Sequence, residues 1–368
     1  MRVAFDSQIF VMQEYGGVSR YFCNLARGLS LHPAVYVKIF APLHINAYLS
    51  ALPSKLVFGQ NVSIAAKLGK LTHALNLALS RPPTRRFKPD IVHQTYYFPV
   101  TCAPKGARRV VTVYDMIHER FSTMFPPNNR LLAWKKRAVL RADHVICISE
   151  NTRRDLLEIC NLRSDKVSVI HLGFDRLVAP MALQKQEPQP GCLPYIFYVG
   201  ERGGYKNFAG FLRAFGSSPW LRQNFRVICF GGGLLRSDEL CLISELGIPQ
   251  HQVSQIGGGD DRLAAHYRNA AAFVYPSLYE GFGIPPLEAM SLDCPVICSN
   301  TSSLPEVAGA AAAYFDPHDT DSMRFALEHT LGSSERCHEL VELGRERYTR
   351  FTWDRCTDST MEIYRSLL

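Results

Sequence analysis

The chain has 368 residues, 47% of them hydrophobic, enough for two domains with a core each. Its formal charge is +8; no run approaches the roughly 18 uncharged apolar residues that span a bilayer, and "MRVAFDSQIF" lacks the segments of an export signal. Eleven cysteines without a CxxC pair argue against a disulfide scaffold or a zinc spacing and fit reduced thiols in a cytosol.

In chain order, "RVAFDS", "VYVKIFAP", "DIVHQT", "RRVVTVYD", "DHVICIS" and "KVSVIHLG" read as short strands. Helical patterns in "VSRYFCNLARGLS", "LLAWKKRAVLRA" and "NTRRDLLEIC" separate them. Strands alternating with helices predict a parallel sheet covered on both faces. Periodicity stops in the polar, Pro-rich "MALQKQEPQPGCLP", which reads as a linker. It restarts with "YIFYVG", "FRVICFGGG", "QVSQIGG", "AAFVYPS", "PVICSN" and "AAAYFDP", a second doubly wound α/β unit. The expected division is a domain over 1–175, a linker over 176–193, a second domain over 194–350, and a helix over 351–368 that can pack back on the first domain.

Charge is unevenly divided. Residues 1–180 carry 25 Lys and Arg against 11 Asp and Glu, a balance of +14; residues 181–368 carry 16 against 22, a balance of −6. The basic half calls for an anionic partner, nucleic acid or a membrane leaflet, unless it is simply a solvated face. Nucleic acid is disfavoured, because "RPPTRRFK" and "WKKRAVLR" hold few interleaved aromatics and the second half is acidic. In "AAKLGKLTHALNLALSRPPTRRFK", Leu68, Leu71, Leu75 and Leu79 form a helical stripe flanked by Lys67, Lys70, Arg81, Arg85 and Arg86. Such a stripe ordinarily packs on the protein's own core; beside an anionic membrane it could instead be an anchor.

Parallel sheets bind ligands at the carboxyl ends of their strands. After the first strand, Gly16 and Gly17 precede a helix whose free amides suit an anion. After "YIFYVG", Arg202 and Lys206 sit in a glycine-bearing turn, either a diphosphate site or two exposed loop cations. Gly232 lies in a further strand-end loop, "FGGG". The stretch "YEGFGIPPLE" sets Glu280 and Glu288 on either side of Phe282, Gly283 and Ile284, whose amides can face an anion. Carboxylates accept hydroxyl hydrogen bonds, so a ligand with hydroxyls at both ends and phosphates between them fits, as a nucleotide sugar does. A capping and a surface glutamate are the plainer alternative.

The segment "FVYPSLYEGFGIPPLEAM", followed by "PVICSNTSSLPEVAG", resembles the signature of the retaining glycosyltransferases of family 4, in which seven residues separate two glutamates, as they separate Glu280 and Glu288. "DSQIF", "QEYGGVSRYF", "TVYDMIHERF", "CISENTRRDLL", "GERGGYKNF" and "DDRLAAHYRNA" resemble family segments in the expected order, so the likeness covers nearly the whole chain. It implies the GT-B fold, two Rossmann-like domains facing each other across a cleft. The amino-terminal pattern is most similar to bacterial mannosyltransferases that extend lipid-linked surface polysaccharides (O-antigen or capsule).

The resemblance also implies roles. Glu288 would hold the nucleotide ribose. Glu280 and the amides of Phe282, Gly283 and Ile284 would hold the donor sugar and phosphate; Arg202 and Lys206 would neutralise the leaving diphosphate, and Gly16 and Gly17 would close on it. The departing phosphate oxygen would take the proton of an acceptor hydroxyl attacking from the same face. No metal and no cofactor is expected, and "DTD" at 319–321 reads as a solvated turn. Many members carry a histidine where this chain has Tyr114; Asp115 or His118 would take over its contact with the sugar or the acceptor. GDP-mannose is the donor the subgroup suggests, with UDP- and dTDP-sugars as alternatives, and the acceptor would be a glycan or lipid-linked oligosaccharide. A nucleotide-sugar epimerase on the same architecture is the competing enzyme. The expected location is the cytoplasm, including the inner face of the cytoplasmic membrane as a peripheral site.

Overall fold

A computed structural model describes residues 1–62, 70–126, 130–178 and 192–368. The chain forms two compact units, Met1–Gly173 together with Phe351–Leu368, and Phe174–Arg350. Most of the linker segment lies outside the described residues.

The first unit holds β1 (Arg2–Phe5), β2 (Tyr36–His44), β3 (Val57–Asn61), β4 (Ile91–Gln94), β5 (Arg108–Val113), β6 (His144–Cys147) and β7 (Val167–Val169). They pair in the order β3-β2-β1-β4-β5-β6-β7, and every pairing is parallel. The second unit holds β8 (Tyr195–Val199), β9 (Arg226–Phe230), β10 (Val253–Ile256), β11 (Ala272–Tyr275), β12 (Val296–Ser299) and β13 (Ala312–Phe315), in the order β10-β9-β8-β11-β12-β13 and again all parallel. Central strands such as β4, β6, β11 and β12 are buried along their length, as β-branched and aromatic runs covered by helices on both faces require. Each sheet reverses its winding once, between β1 and β4 and between β8 and β11. These switch points are where a doubly wound sheet opens a crevice for a ligand.

Strand β3 has no counterpart in the sequence reading. It is an exposed edge strand, "VFGQN", so burial gives it no apolar signature. Its Gly59 has φ +152°, and a Cβ there would meet the Ala41 carbonyl oxygen at 1.7 Å. The leucine stripe also departs from the ordinary expectation. In the helix Lys70–Phe87, Leu71, Leu75 and Leu79 are 55%, 39% and 48% exposed, and none of them packs into the core. Leu68 and Lys67 lie outside the described residues. Asp319 of "DTD" caps the helix Thr320–Leu331, accepting the amides of Asp321 and Ser322.

The helix Trp353–Ser366 belongs to the first unit. Cys356, Thr357, Thr360, Met361 and Tyr364 form its buried face. Gly28 lies against it, where a Cβ would meet Thr357 Oγ1 at 2.4 Å. The Tyr364 hydroxyl bonds His93 Nδ1 at 2.5 Å, and His93 Nε2 bonds Thr112 Oγ1 at 2.8 Å, so one buried imidazole joins the chain terminus to β4 and β5.

Burial lowers the His93 pKa to about 3, whereas an unfolded histidine titrates near 6.5. Between these values the unfolded chain holds a proton that the folded unit does not. This contribution to stability is complete above about pH 6.5 and is lost as pH falls toward 3. Melting temperatures recorded from about pH 7 to about pH 4 should decline, less steeply in His93→Gln; equal slopes would mean that His93 carries no part of the loss.

Candidate active site

In the second unit the site is built at the carboxyl ends of β8 and β11. Beyond β8 the chain turns at Gly200 (φ +116°) and runs through a short 3₁₀ turn, Gly204–Lys206. Asn207, in a left-handed conformation, then starts the helix Phe208–Ser217. This puts the Lys206 stem over the rings of Tyr205 and Tyr275, with its ammonium 5.2 and 5.5 Å from their centroids. Lys206 Nζ donates to Glu280 Oε1 at 2.7 Å and to the Tyr275 hydroxyl at 3.4 Å. The pair is largely shielded, with the two side chains 18% and 10% exposed. Burial first, and then the negative Glu280, keep Tyr275 protonated far above the ordinary tyrosine range. The fold thus brings Lys206 and Glu280 together at the switch point; Tyr275 was missed in sequence because it looks like any strand aromatic.

The loop carrying Glu280 is fixed from β12. The Glu280 amide donates to Ser302 Oγ at 2.9 Å, and Ser303 Oγ donates to the carbonyls of Glu280 and Phe282 at 2.9 and 2.7 Å. Gly283 then caps the helix Ile284–Ser291 with φ +106°, and a Cβ there would meet Leu304 Cδ2 at 2.8 Å. Pro285 and Pro286 in the first turn remove two amide donors, so the helix end offers a narrow set led by Ile284. Glu288 follows in this helix, half-buried, and its Oε2 accepts the buried Tyr267 hydroxyl at 3.2 Å.

Arg202 differs from the expected open cation. Its side chain is 0% exposed. Nε donates to Glu239 Oε1 at 3.0 Å, Nη1 to the Gly231 carbonyl at 2.8 Å, and Nη2 to the carbonyls of Gly232, Gly233 and Leu234 at 3.2, 2.9 and 2.8 Å. Gly231, Gly232 and Gly233 all have positive φ, and a Cβ on Gly232 would meet Arg202 Nη1 at 2.8 Å. The three glycines let a tight loop close over the guanidinium, so Arg202 shapes the rim of the site from inside.

In the first unit, Gly16 caps the helix Gly17–Leu29, and its missing Cβ leaves room for the Gln13 side chain, whose Oε1 accepts the Ser19 amide at 3.1 Å. Gly17 has open space on its Cβ side. At the β1/β4 switch point sits a buried acid absent from the sequence-based site, Asp6. Its Oδ1 accepts the Thr95 amide and hydroxyl at 2.9 and 2.6 Å and its Oδ2 accepts Gln8 Nε2 at 2.7 Å; burial outweighs these bonds and raises its pKa to about 6. His73, Phe98 and Trp134 stack on one another and, with Asp6 and Gln8, line a cavity of about 290 Å³.

At the end of β5, Asp115 accepts the Ile117 amide at 3.1 Å. Lys135, read in sequence as part of a basic surface cluster, is 2% exposed and donates to Glu119 Oε2 at 2.9 Å and to the Asp115 carbonyl at 3.0 Å. His118 stacks on Phe125, its Nδ1 has no hydrogen-bond partner among the described residues, and burial lowers its pKa. Tyr114 is buried, and its hydroxyl likewise has no partner among the described residues.

Comparison with known proteins agrees with this layout. Residues 15–176 match the model "Glycosyltransferase Family 4" and residues 182–347 match "Glycosyl transferases group 1". The chain is a family 4 glycosyltransferase. It is 29% identical over 371 residues to the O-antigen chain mannosyltransferase B of Escherichia coli, covering 95% of this chain and 96% of that protein. It is also 29% identical to the serotype-specific mannosyltransferase WbdA of Escherichia coli over 66% of this chain, but spans only 31% of that longer protein. Among solved structures, sucrose-phosphate synthase from Thermosynechococcus elongatus matches with a TM-score of 0.78 at 19% identity, covering 100% of this chain and 99% of that one, a likeness of GT-B fold.

The contrast between the two cations of this glycosyltransferase can be measured. Arg202→Met leaves the buried Glu239 with Arg236 alone, through Nη2 at 3.1 Å and the backbone amide at 2.7 Å, and removes the guanidinium from four carbonyls, of which that of Gly231 keeps Gln255 Nε2 at 3.3 Å. Breaking one side of a buried pair costs ~3–5 kcal/mol, and the surviving Arg236 contact favours the lower end. Arg202→Met should therefore lower the melting temperature sharply, and Lys206→Ala much less. The reverse order would make Arg202 a ligand-facing group.

Proposed function

We propose that the chain is a retaining mannosyltransferase that moves mannose from GDP-mannose to a lipid-linked glycan in the synthesis of a bacterial surface polysaccharide. The observation that carries the donor site is the shielded Lys206–Glu280 pair at the β8/β11 switch point. The similarity to an O-antigen chain mannosyltransferase over nearly the full chain supports the sugar and the acceptor class.

In this reading the donor diphosphate lies against Lys206 and the amides at the Gly283–Ile284 turn. Glu280 accepts hydroxyls of the mannose, and Glu288, steadied by Tyr267, accepts those of the ribose. The bond from the sugar's anomeric carbon to the diphosphate breaks as an acceptor oxygen bonds that carbon on the same face. The acceptor's proton passes to the departing phosphate oxygen, and Lys206 stabilises the charge that builds there. The acceptor sits in the first unit, where the aromatic cavity beside Asp6 offers stacking faces and a carboxyl group, and Asp115 or His118 meets the acceptor from the end of β5.

Glu280→Ala and Glu288→Ala should each lower transfer from GDP-mannose by about 100-fold or more while the protein remains folded. Wild-type turnover in either would remove it from the donor site. Lys206→Ala should weaken GDP itself, by the ~1.5–3 kcal/mol of a charge-assisted contact, in a calorimetric titration. Unchanged GDP affinity with a poorer acceptor KM would place the lysine elsewhere.

Because Lys206 and the helix amides supply the positive charge, turnover should persist in a strong chelator. Loss of activity that magnesium or manganese restores would contradict a metal-independent mechanism. Release of GDP should require an acceptor, whereas an epimerase would convert the donor without one. The anomeric configuration of the product, read by NMR, distinguishes retention from inversion.

A further inference from the structure

We propose that the outward face of the helix Lys70–Phe87 docks on an anionic lipid leaflet. This helix is inside-out. Thr72, Asn76, Ser80 and Thr84, spaced four apart, are 0%, 0%, 2% and 0% exposed, whereas the facing stripe of Leu71, Leu75 and Leu79 lies in solvent with Ala74 and Ala78 beside it.

The cause is the strand beneath. β2 contains Pro42, which has no N–H, and its register with β3 shifts between Phe40 and Leu43. That irregularity leaves backbone groups to be satisfied by side chains. Asn76 accepts the Leu43 amide at 2.9 Å and donates to the Leu43 carbonyl at 2.9 Å, and Ser80 Oγ reaches the Phe40 carbonyl at 3.5 Å. The polar face is therefore committed to the sheet, and the leucines are left facing out.

Charge decides what covers them. At 3.6 residues per turn, Arg85 and Arg86 fall on the same side of the helix as the leucines, one to two turns further on, and both are exposed. Lys88 follows, also exposed. An apolar stripe ending in a basic turn matches the boundary of an anionic leaflet, with leucines at acyl depth and guanidiniums among the phosphates. No helix among the described residues is long and apolar enough to cross a membrane, so this mode of contact is peripheral.

The full-length protein would be tested by co-sedimentation with vesicles of phosphatidylcholine alone and with phosphatidylglycerol. Wild type should partition to the anionic vesicles and be released when salt is raised well above about 0.15 M. Arg85→Gln/Arg86→Gln should cut partitioning by about twentyfold. Leu71→Gln/Leu75→Gln/Leu79→Gln should abolish it while the protein remains folded, because these side chains are 55%, 39% and 48% exposed and lie outside the core. Equal binding to neutral and anionic vesicles, no binding at low salt, or normal binding by the leucine variant would overturn the proposal. So would a concentration-dependent dimer, seen by sedimentation velocity, that the leucine variant loses. The inference does not rest on the donor assignment: GDP affinity and transfer to a water-soluble acceptor should be unchanged in both variants, so failure of one reading leaves the other standing.

Discussion

Parallel pairing is the constraint from which the site follows. When every strand of a sheet runs the same way, all carboxyl ends reach one edge, and the loops meet there however far apart they lie in sequence. Lys206 and Glu280 are 74 residues apart and join at 2.7 Å because β8 and β11 are neighbours whose onward connections leave in opposite directions. The gap between those connections is where a ligand can sit without displacing packed side chains. The neighbouring loops then act as scaffold: Ser302 and Ser303 reach across from β12 to hold the Glu280 backbone, and the Gly283 turn closes against Leu304.

Three shielded cations show how the fold distinguishes structural from functional charge. Arg202 has each nitrogen engaged by Glu239 or a carbonyl and its side chain fully buried. Lys135 is nearly as enclosed, spending its ammonium on Glu119 and the Asp115 carbonyl, which fixes the end of β5. Lys206 keeps some exposure, and the described residues give it one short acceptor, Glu280, and one long one, the Tyr275 hydroxyl. An ammonium has three donors and shifts readily between acceptors. Of the three, Lys206 is the least enclosed, 18% exposed against 2% for Lys135 and 0% for Arg202.

The sequence pattern revealed the sheets where strands are buried. β1, β2 and β4 to β13 are short apolar runs between helical patterns, and the Glu280–Glu288 turn is legible because glycine and proline there have few other uses. What escaped was local chemistry that depends on neighbours. β3 is an edge strand whose side chains face water, so it carries no apolar run. Arg202 and Lys206 look alike four residues apart, yet one points into the Gly231–Gly233 loop and the other into the crevice; only the three-dimensional position of Glu239 separates them. Lys135 stands in a run of basic residues, and no periodicity marks which of them turns inward. Asp6 follows β1 as an ordinary polar residue, and its burial appears only once Thr95 is placed beside it.

The helix Lys70–Phe87 exposes the limit of reading amphipathicity from composition. A hydrophobic stripe normally marks the buried face because apolar burial is the largest favourable term. That rule assumes the surface beneath is itself apolar. Where a strand is broken by a proline and a register shift, the surface beneath offers a bare amide and carbonyls. An unsatisfied backbone group in a dry interface costs about 1–3 kcal/mol, comparable to the ~1.5–3 kcal/mol gained by burying a leucine. Asn76 satisfies both groups of Leu43 at once, and one such side chain fixes the rotation of the whole helix. The leucines then face out as a consequence of β2, and the same defect that costs the sheet a ladder bond creates a lipid-compatible surface on the basic half of the chain.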